Sequence, residues 1–171
     1  RRRGLECRGF DLQVGLVQAL ADQGVEFFPV VIFGQGIVGL LTTALLSHLP
    51  LGNLVALDPY PLRRENAKIA GARIVLDPNT PDVLDEGSKL LKSVVGGNGA
   101  DLVYELSGNP AALNQALSIA GLGSRIVIGS WYGTKKAELD LGGSFHRNRI
   151  RLISSQVSTL AAQFANRWTK N

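Results

Sequence analysis

The chain has 171 residues, 45% of them hydrophobic and 19% charged, with a formal net charge of +4. These values describe one soluble globular domain long enough to bury a core. They exclude a membrane-spanning helix, because no apolar run reaches the ~18–20 residues that a span needs. Cys7 is the single cysteine, which excludes an internal disulfide framework and a cysteine-based zinc cluster. Basic residues are scattered apart from Arg1-Arg2-Arg3 and Arg147, Arg149 and Arg151. Few aromatics accompany them, so no nucleic-acid partner is expected. No charged-then-apolar leader opens the sequence, and a cytoplasmic location is expected.

Residues 1–9 show no periodicity. Asp11 is placed to cap a helix with apolar positions Leu12, Leu16, Ala19 and Leu20, ending near Gly24. Residues 1–28 are too short for a second domain. A single domain is expected over 29–158, with a tail over 159–171.

Val30-Val31-Ile32-Phe33 then reads as a buried strand, running directly into Gly34-Gln35-Gly36-Ile37-Val38-Gly39 and an apolar helix through Leu46. A strand, a Gly-x-Gly-x-x-Gly turn and an immediate helix form a β-turn-α unit suited to a dinucleotide. Gly34 permits the tight turn. Gly36 lets a diphosphate approach the backbone. Gly39 lets the helix pack closely. Free N–H groups and the dipole at the helix N-terminus favour anionic oxygens.

A second apolar strand, Leu54 to Leu57, ends in Asp58. That acid lies about 20 residues past the glycines, the spacing of a carboxylate that holds the adenosine ribose hydroxyls. The alternative is a turn-forming Asp before Pro59. A helix follows over 62–70, stopped by Gly71. Arg63 and Arg64 lie just past Asp58. They fit an adenosine 2′-phosphate, a stack on adenine, or simply a solvated helix face. Asp58 favours NAD, because a carboxylate repels a 2′-phosphate, with NADP the alternative.

Arg73 to Asp77 reads as a third strand, and a helix is expected over Asp82 to Val95, ended by Gly96-Gly97-Asn98-Gly99. Ala100 to Leu106 is a fourth strand. Ser107-Gly108-Asn109-Pro110 turns into a helix over 111–120, stopped by Gly121 to Gly123. Arg125 to Gly129 is a fifth strand. Arg149 to Ile153, alternating basic and apolar, reads as a sixth at an edge. This rhythm predicts an α/β fold, a doubly wound parallel six-stranded Rossmann sheet in the order 3-2-1-4-5-6. Ligands of such sheets lie across the carboxyl ends of the strands. That nominates Gly34 to Gly39, Asp58, Ser107-Gly108 and Gly129-Ser130. A modest positive surface suits an anionic dinucleotide.

The stretches VVIFGQGIVGLL, LVALDPYPLRRENAKIAGA, ADLVYELSGNPAALNQAL and GSRIVIGSWYG resemble the cofactor domain of the medium-chain dehydrogenase/reductase superfamily, zinc-type alcohol dehydrogenase group, over residues 30–158. Asp58, Arg63 five positions on, then Ala67-Lys68 and Gly71-Ala72 carry much of the likeness. The stretch LGGSFHRNRIRLISSQVS is similar to a branch that includes hydroxyethyl-bacteriochlorophyllide dehydrogenase and threonine- or polyol-dehydrogenase-like relatives. The resemblance implies NAD(P)-dependent hydride transfer between nicotinamide and an alcohol or carbonyl carbon. It implies that Gly34, Gly36, Ile37, Val38 and Gly39 hold the diphosphate, with Asp58 on the adenosine ribose and Arg63 beside the adenine. Ser107 then lies on the adenosine side of the cleft, and Ile128, Gly129 and Ser130 lie beside the nicotinamide. A homodimer through the sixth strand is implied as well.

The family builds a catalytic zinc site from Cys, His and Glu or Asp on an N-terminal domain, and no such domain is expected within these residues. His48 and His146 have no ligand spacing. His48 suits a helix C-terminus, and His146 lies in a loop beside Arg147, where a substrate or cofactor contact is one alternative. The expectation is therefore a fragment with no catalytic or metal residues of its own, zinc belonging to the full-length enzyme. Tyr132 and Lys136 share the Tyr-x-x-x-Lys spacing of short-chain dehydrogenases, but Gly133 interrupts and the segment reads as a loop. Glu105 is expected to face a polar edge rather than act as a base. Two rivals remain: a non-catalytic NAD(H)-binding module, and a methyltransferase using S-adenosylmethionine.

Overall fold

The computed structural model describes residues 28–80 and 99–156. Cys7, the expected helices over 11–24 and 82–95, and the tail over 159–171 lie outside the described residues.

Six strands form one sheet in the order β3-β2-β1-β4-β5-β6, every pairing parallel. Strand β1 (Val30–Phe33) is the spine, with β2 (Leu54–Leu57) on one side and β4 (Ala100–Glu105) on the other. All four β1 residues and all four of β2 are buried. An unbroken apolar run is what a strand covered on both faces requires. Each such side chain contributes roughly 1.5–3 kcal/mol by leaving water, so the core rather than strand propensity fixes β1. Strand β3 (Ile74–Leu76) forms one edge.

Helix α1 (Ile37–Leu46) buries only Gly39 and Thr43 and leaves Ile37, Leu41 and Leu45 largely exposed. Helix α2 (Pro61–Ile69) opens with proline in its first turn, where the missing N–H costs nothing. It closes as the sequence predicts. Gly71 takes φ +103, its N–H donates to the Lys68 carbonyl at 3.1 Å, and the Ala72 N–H donates to the Ala67 carbonyl at 2.9 Å. That pair of bonds is a Schellman motif, which needs the left-handed residue glycine supplies. Helix α3 (Pro110–Ile119) is capped by Asn109, whose side chain accepts from the Ala111 N–H. It buries Ala112, Leu113, Ala116 and Leu117 on one face. No helix among the described residues is long and apolar enough to cross a membrane.

Two boundaries differ from the sequence reading. Gly121 to Gly123 do not form a stop after α3. Strand β5 (Ala120–Ile128) begins at once, with Ala120 beside Ala100 and a register irregularity before Leu102. The cause is close packing. A Cβ on Gly99 would lie 2.8 Å from the Gly121 nitrogen, so glycine at 99 lets the two backbones meet. Strand β6 runs over Arg151–Ser154 rather than from Arg149, because Arg149 adopts a left-handed φ of 53° that breaks an extended run. It does occupy an edge. Before it, Leu141–Phe145 forms a kinked helical turn that the sequence did not announce. Asp140 holds it by accepting from the Gly142 and Gly143 N–H groups at 3.1 and 3.0 Å.

Candidate functional site

Phe33 at the end of β1 is in register with Leu57 of β2 and Glu105 of β4. The segments that leave these strands therefore share one edge of the sheet. The chain winds from β1 towards β3 in one direction and from β4 towards β6 in the other. The loops after β1 and β4 thus flank the switch point, where sheets of this kind hold a crevice.

Gly34 takes φ +85, and a Cβ there would lie 2.5 Å from the Ser107 Cα. The residue both turns the chain and lets the loop after β4 approach. A Cβ on Gly39 would collide with the Gly34 carbonyl oxygen, so the third glycine closes the turn on itself. Around Gly36 no atom lies within 4 Å of a Cβ position, so its backbone borders open space. Ile37 and Val38 open α1 and are 78% and 49% exposed. No side chain caps that helix, which leaves its first-turn N–H groups and the positive end of its dipole for an outside partner.

Asp58 is 1% exposed. Its Oδ2 accepts from the Gln35 N–H at 2.8 Å and its Oδ1 from the Tyr60 N–H at 2.9 Å. The second bond is the Asx turn that Asp-Pro suggested. The first ties the same carboxylate to the glycine loop. The turn reading of Asp58 is thus met, and the same carboxylate also braces the glycine loop. Arg63 Nη1 stands 3.6 Å from Asp58 Oδ2, and its guanidinium lies 4.8 Å from the Tyr60 ring centroid. Arg64 turns elsewhere. Its Nη1 donates to the carbonyls of Asp58 and Pro59 at 2.7 and 2.8 Å and to Asp77 Oδ2 at 3.0 Å.

Sequence reading passed over Gln35, which is wholly buried. Besides its N–H bond to Asp58, its side-chain Oε1 accepts from the Thr43 hydroxyl at 2.9 Å. One residue thus joins the glycine turn, β2 and α1. Its position among the free letters of the glycine motif hid it.

The far side of the crevice is built on Glu105, and here the expectation of a polar edge is overturned. Glu105 is fully buried, because β4 is flanked by β1 and β5. Its carboxylate is satisfied internally. Oε1 accepts from the Ser107 N–H at 2.9 Å and from the Ser107 hydroxyl, and Oε2 accepts from the Tyr132 hydroxyl. A usable signal existed: Glu105 ends β4 as Asp58 follows β2, each an acid at a strand's carboxyl end.

The Glu105 carbonyl accepts from the Gly129 and Ser130 N–H groups at 3.0 and 3.2 Å. The Ser130 hydroxyl accepts from the Gly108 N–H at 2.8 Å. Lys135 Nζ reaches the Gly108 carbonyl at 3.0 Å. A Cβ on Gly129 would lie 2.5 Å from Leu106 Cδ2, and Ile128 packs against the core. Burial, and next the Glu105 carboxylate, push the Tyr132 hydroxyl far above the ordinary phenol range. A tyrosine acting as a proton donor to substrate needs the opposite shift. Tyr132 is thus paired with Glu105 rather than with Lys136, which lies exposed.

Gly34, Gly36, Ile37, Val38, Gly39, Asp58 and Arg63 therefore gather at one end of the crevice. Ser107, Gly129 and Ser130 are bonded around Glu105 and Gly108, Ile128 packs against the core, and Gly34 meets Ser107. His48 and His146 are exposed and belong to neither group. Among the described residues, no group of three or more His, Cys, Asp or Glu side chains could hold a metal ion.

Comparison with known proteins follows the same lines. The family model described as zinc-binding dehydrogenase matches residues 38–170. Sorbitol dehydrogenase of Bacillus subtilis is 34% identical over 99 residues, which cover 58% of this chain and 27% of that protein. L-threonine 3-dehydrogenase of Pyrococcus horikoshii is 34% identical over 106 residues, covering 62% and 29%. The crystal structure of 2R,3R-butanediol dehydrogenase from Bacillus subtilis superposes with a TM-score of 0.65 at 25% identity, covering 84% of this chain and 40% of that one. The chain thus matches less than a third of the length of these curated relatives. With a family match over most of its length, the chain belongs to the zinc-binding dehydrogenase family, of which it carries the Rossmann domain.

Proposed function

We propose that this chain binds NAD across the carboxyl edge of its sheet and serves as the cofactor-holding part of an alcohol or polyol dehydrogenase. The observation that carries the reading is the placement of Asp58. A buried carboxylate, oriented by two backbone N–H groups, stands next to a helix N-terminus that no side chain caps. The two features match a dinucleotide in order: hydroxyl groups of a ribose for the carboxylate, a diphosphate for the helix.

Gly36, Ile37, Val38 and Gly39 offer backbone N–H groups to the diphosphate, and Gly34 shapes the turn that presents them. Asp58 accepts from the adenosine ribose hydroxyls. Arg63, already lying over Tyr60, borders the adenine. Ser107 lies on the adenosine side of the cleft, and Ile128, Gly129 and Ser130 border the nicotinamide. When bound, the dinucleotide supplies hydride transfer to or from a carbon bearing oxygen. The chain's own contribution is binding and orientation. The described residues offer no fit for the zinc that the family name implies. The chemistry on the substrate oxygen, and a second copy pairing along β6, belong to the whole enzyme in this reading.

Calorimetric titration of the chain with NAD, NADP and S-adenosylmethionine tests it. Binding of NAD in preference to the other two is the expected result. Binding of S-adenosylmethionine alone overturns it in favour of a methyltransferase.

A further inference from the structure

Two arginines follow Asp58, and the structure gives them different employment. Arg63 is half exposed and stands near the Asp58 carboxylate. Arg64 is drawn under the loop after β2. Its Nη1 is shared among the Asp58 carbonyl, the Pro59 carbonyl and Asp77 Oδ2, all within 3.0 Å. Its side chain is 21% exposed and that of Asp77 28%.

Asp77 is well placed to hold it. Leu57 and Leu76 are in register in the parallel pair β2 and β3, so the residues that follow them, Asp58 and Asp77, are neighbours across the sheet edge. The Asp58 N–H donates to the Leu76 carbonyl at 3.2 Å. Asp77 divides its carboxylate, with Oδ1 accepting from the Asn79 N–H at 2.9 Å and Oδ2 from Arg64.

We propose that the Arg64–Asp77 ion pair sets the dinucleotide preference of this chain, by keeping Arg64 from a phosphate on the adenosine 2′ oxygen. The inference rests on the function proposed above. A 2′-phosphate brings close to two negative charges beside the Asp58 carboxylate and needs a cation to offset them. Arg63 already faces Asp58 and lies on Tyr60. Arg64 is the second cation within reach of the same loop, and Asp77 neutralises it. Asp58 therefore excludes the phosphate by repulsion, and Asp77 excludes it by withholding the arginine. Asp77 acts through Arg64 and is a positioning residue.

Asp77→Asn keeps an oxygen for the Asn79 N–H and removes the one charged acceptor of Arg64, leaving the Asp58 and Pro59 carbonyls in place. Calorimetric titration of the chain and of this variant with NAD and NADP reads the effect as a ratio of dissociation constants. The ratio is expected to move about two- to fivefold towards NADP, the scale of one partly exposed charge pair. It should return to the starting value in the double variant Asp77→Asn, Arg64→Gln. A purely structural role would weaken both ligands together and leave the ratio alone. Asp77→Ser, which also retains an acceptor for Asn79, is the second variant if the first fails to melt cooperatively. An unchanged ratio in the single variants, or a shift that persists without Arg64, overturns the proposal while NAD binding by the parent chain still stands. Failure of the parent chain to bind either dinucleotide removes both readings at once.

Discussion

The backbone N–H of Gln35 donates to the carboxylate of Asp58 at 2.8 Å, so the glycine turn after β1 and the acid after β2 are one hydrogen-bonded unit. Removing the acid should affect the turn as well as the ligand. Asp58→Ala leaves the Gln35 and Tyr60 N–H groups without acceptors, a loss of about 1–3 kcal/mol each where they stay buried. We expect a lower melting temperature. NAD affinity should fall about tenfold or more, and NADP affinity by less, because the same change removes a repulsion. Equal loss for both dinucleotides in calorimetric titration would exclude a ribose-binding role.

Gly36 and Gly39 belong to one motif but answer to different constraints. Nothing lies within 4 Å of a Cβ at Gly36. Gly36→Val should therefore fold with a melting temperature close to that of the parent while NAD affinity drops by at least about tenfold, as the side chain fills the space where the diphosphate meets backbone. Undiminished NAD binding by a folded Gly36→Val chain would show that the diphosphate does not rest there.

At Gly39 the obstacle is the protein itself. A Cβ there meets the Gly34 carbonyl oxygen. Overpacking of this kind costs about 1–3 kcal/mol, and a domain of this size loses about 2–4 °C of melting temperature per kcal/mol. Gly39→Ala should therefore melt several degrees lower even without ligand, and thermal denaturation of the two glycine variants side by side separates the roles.

Tyr132→Phe deletes a donor to the buried carboxylate of Glu105, at a cost of about 1–3 kcal/mol near neutral pH. The pH dependence has a definite sign. The hydroxyl is held above its ordinary value of 10.0, so its contribution is fully present below that value. It is lost as rising pH ionises the tyrosine of the unfolded chain but not that of the folded one. The stability gap between parent and variant should be flat around neutrality and narrow above pH 10.0. Denaturant titration at a series of pH values checks this. A gap that widens with pH would mean that the folded chain ionises Tyr132 more readily than the unfolded one.

The order of the sheet was legible because parallel strands buried on both faces must read as unbroken apolar runs, as Val30 to Phe33 and Leu54 to Leu57 do. The glycine turn and Asp58 were legible because they sit at fixed spacing along the chain. Glu105 was misjudged for a related reason: its distant partner, Tyr132, arrives only when β4 and β5 pair, and an acid in a strand looks the same whether covered or exposed. Gln35 was passed over because its bonds to Asp58 and Thr43 cross between elements. The start of β5 at Ala120 turned on the contact between Gly99 and Gly121, which no local propensity encodes. Arg63 and Arg64 are adjacent and chemically alike, and only the position of Asp77 at the end of a neighbouring strand distinguishes them.

The position of β1 at the centre of the sheet also governs the order of assembly. Val30 pairs with Leu54 on one side and with Leu102 on the other. The first partner follows after one helix, so β1, β2 and β3 can associate while the chain is still emerging. The second must wait for a far longer loop to close, and such distant pairings slow folding. The crevice has no second wall until then, since Ser107 reaches Gly34 only with β4 in place. On the proposed function, dinucleotide affinity in a refolding chain is thus a clock for the joining of the two halves.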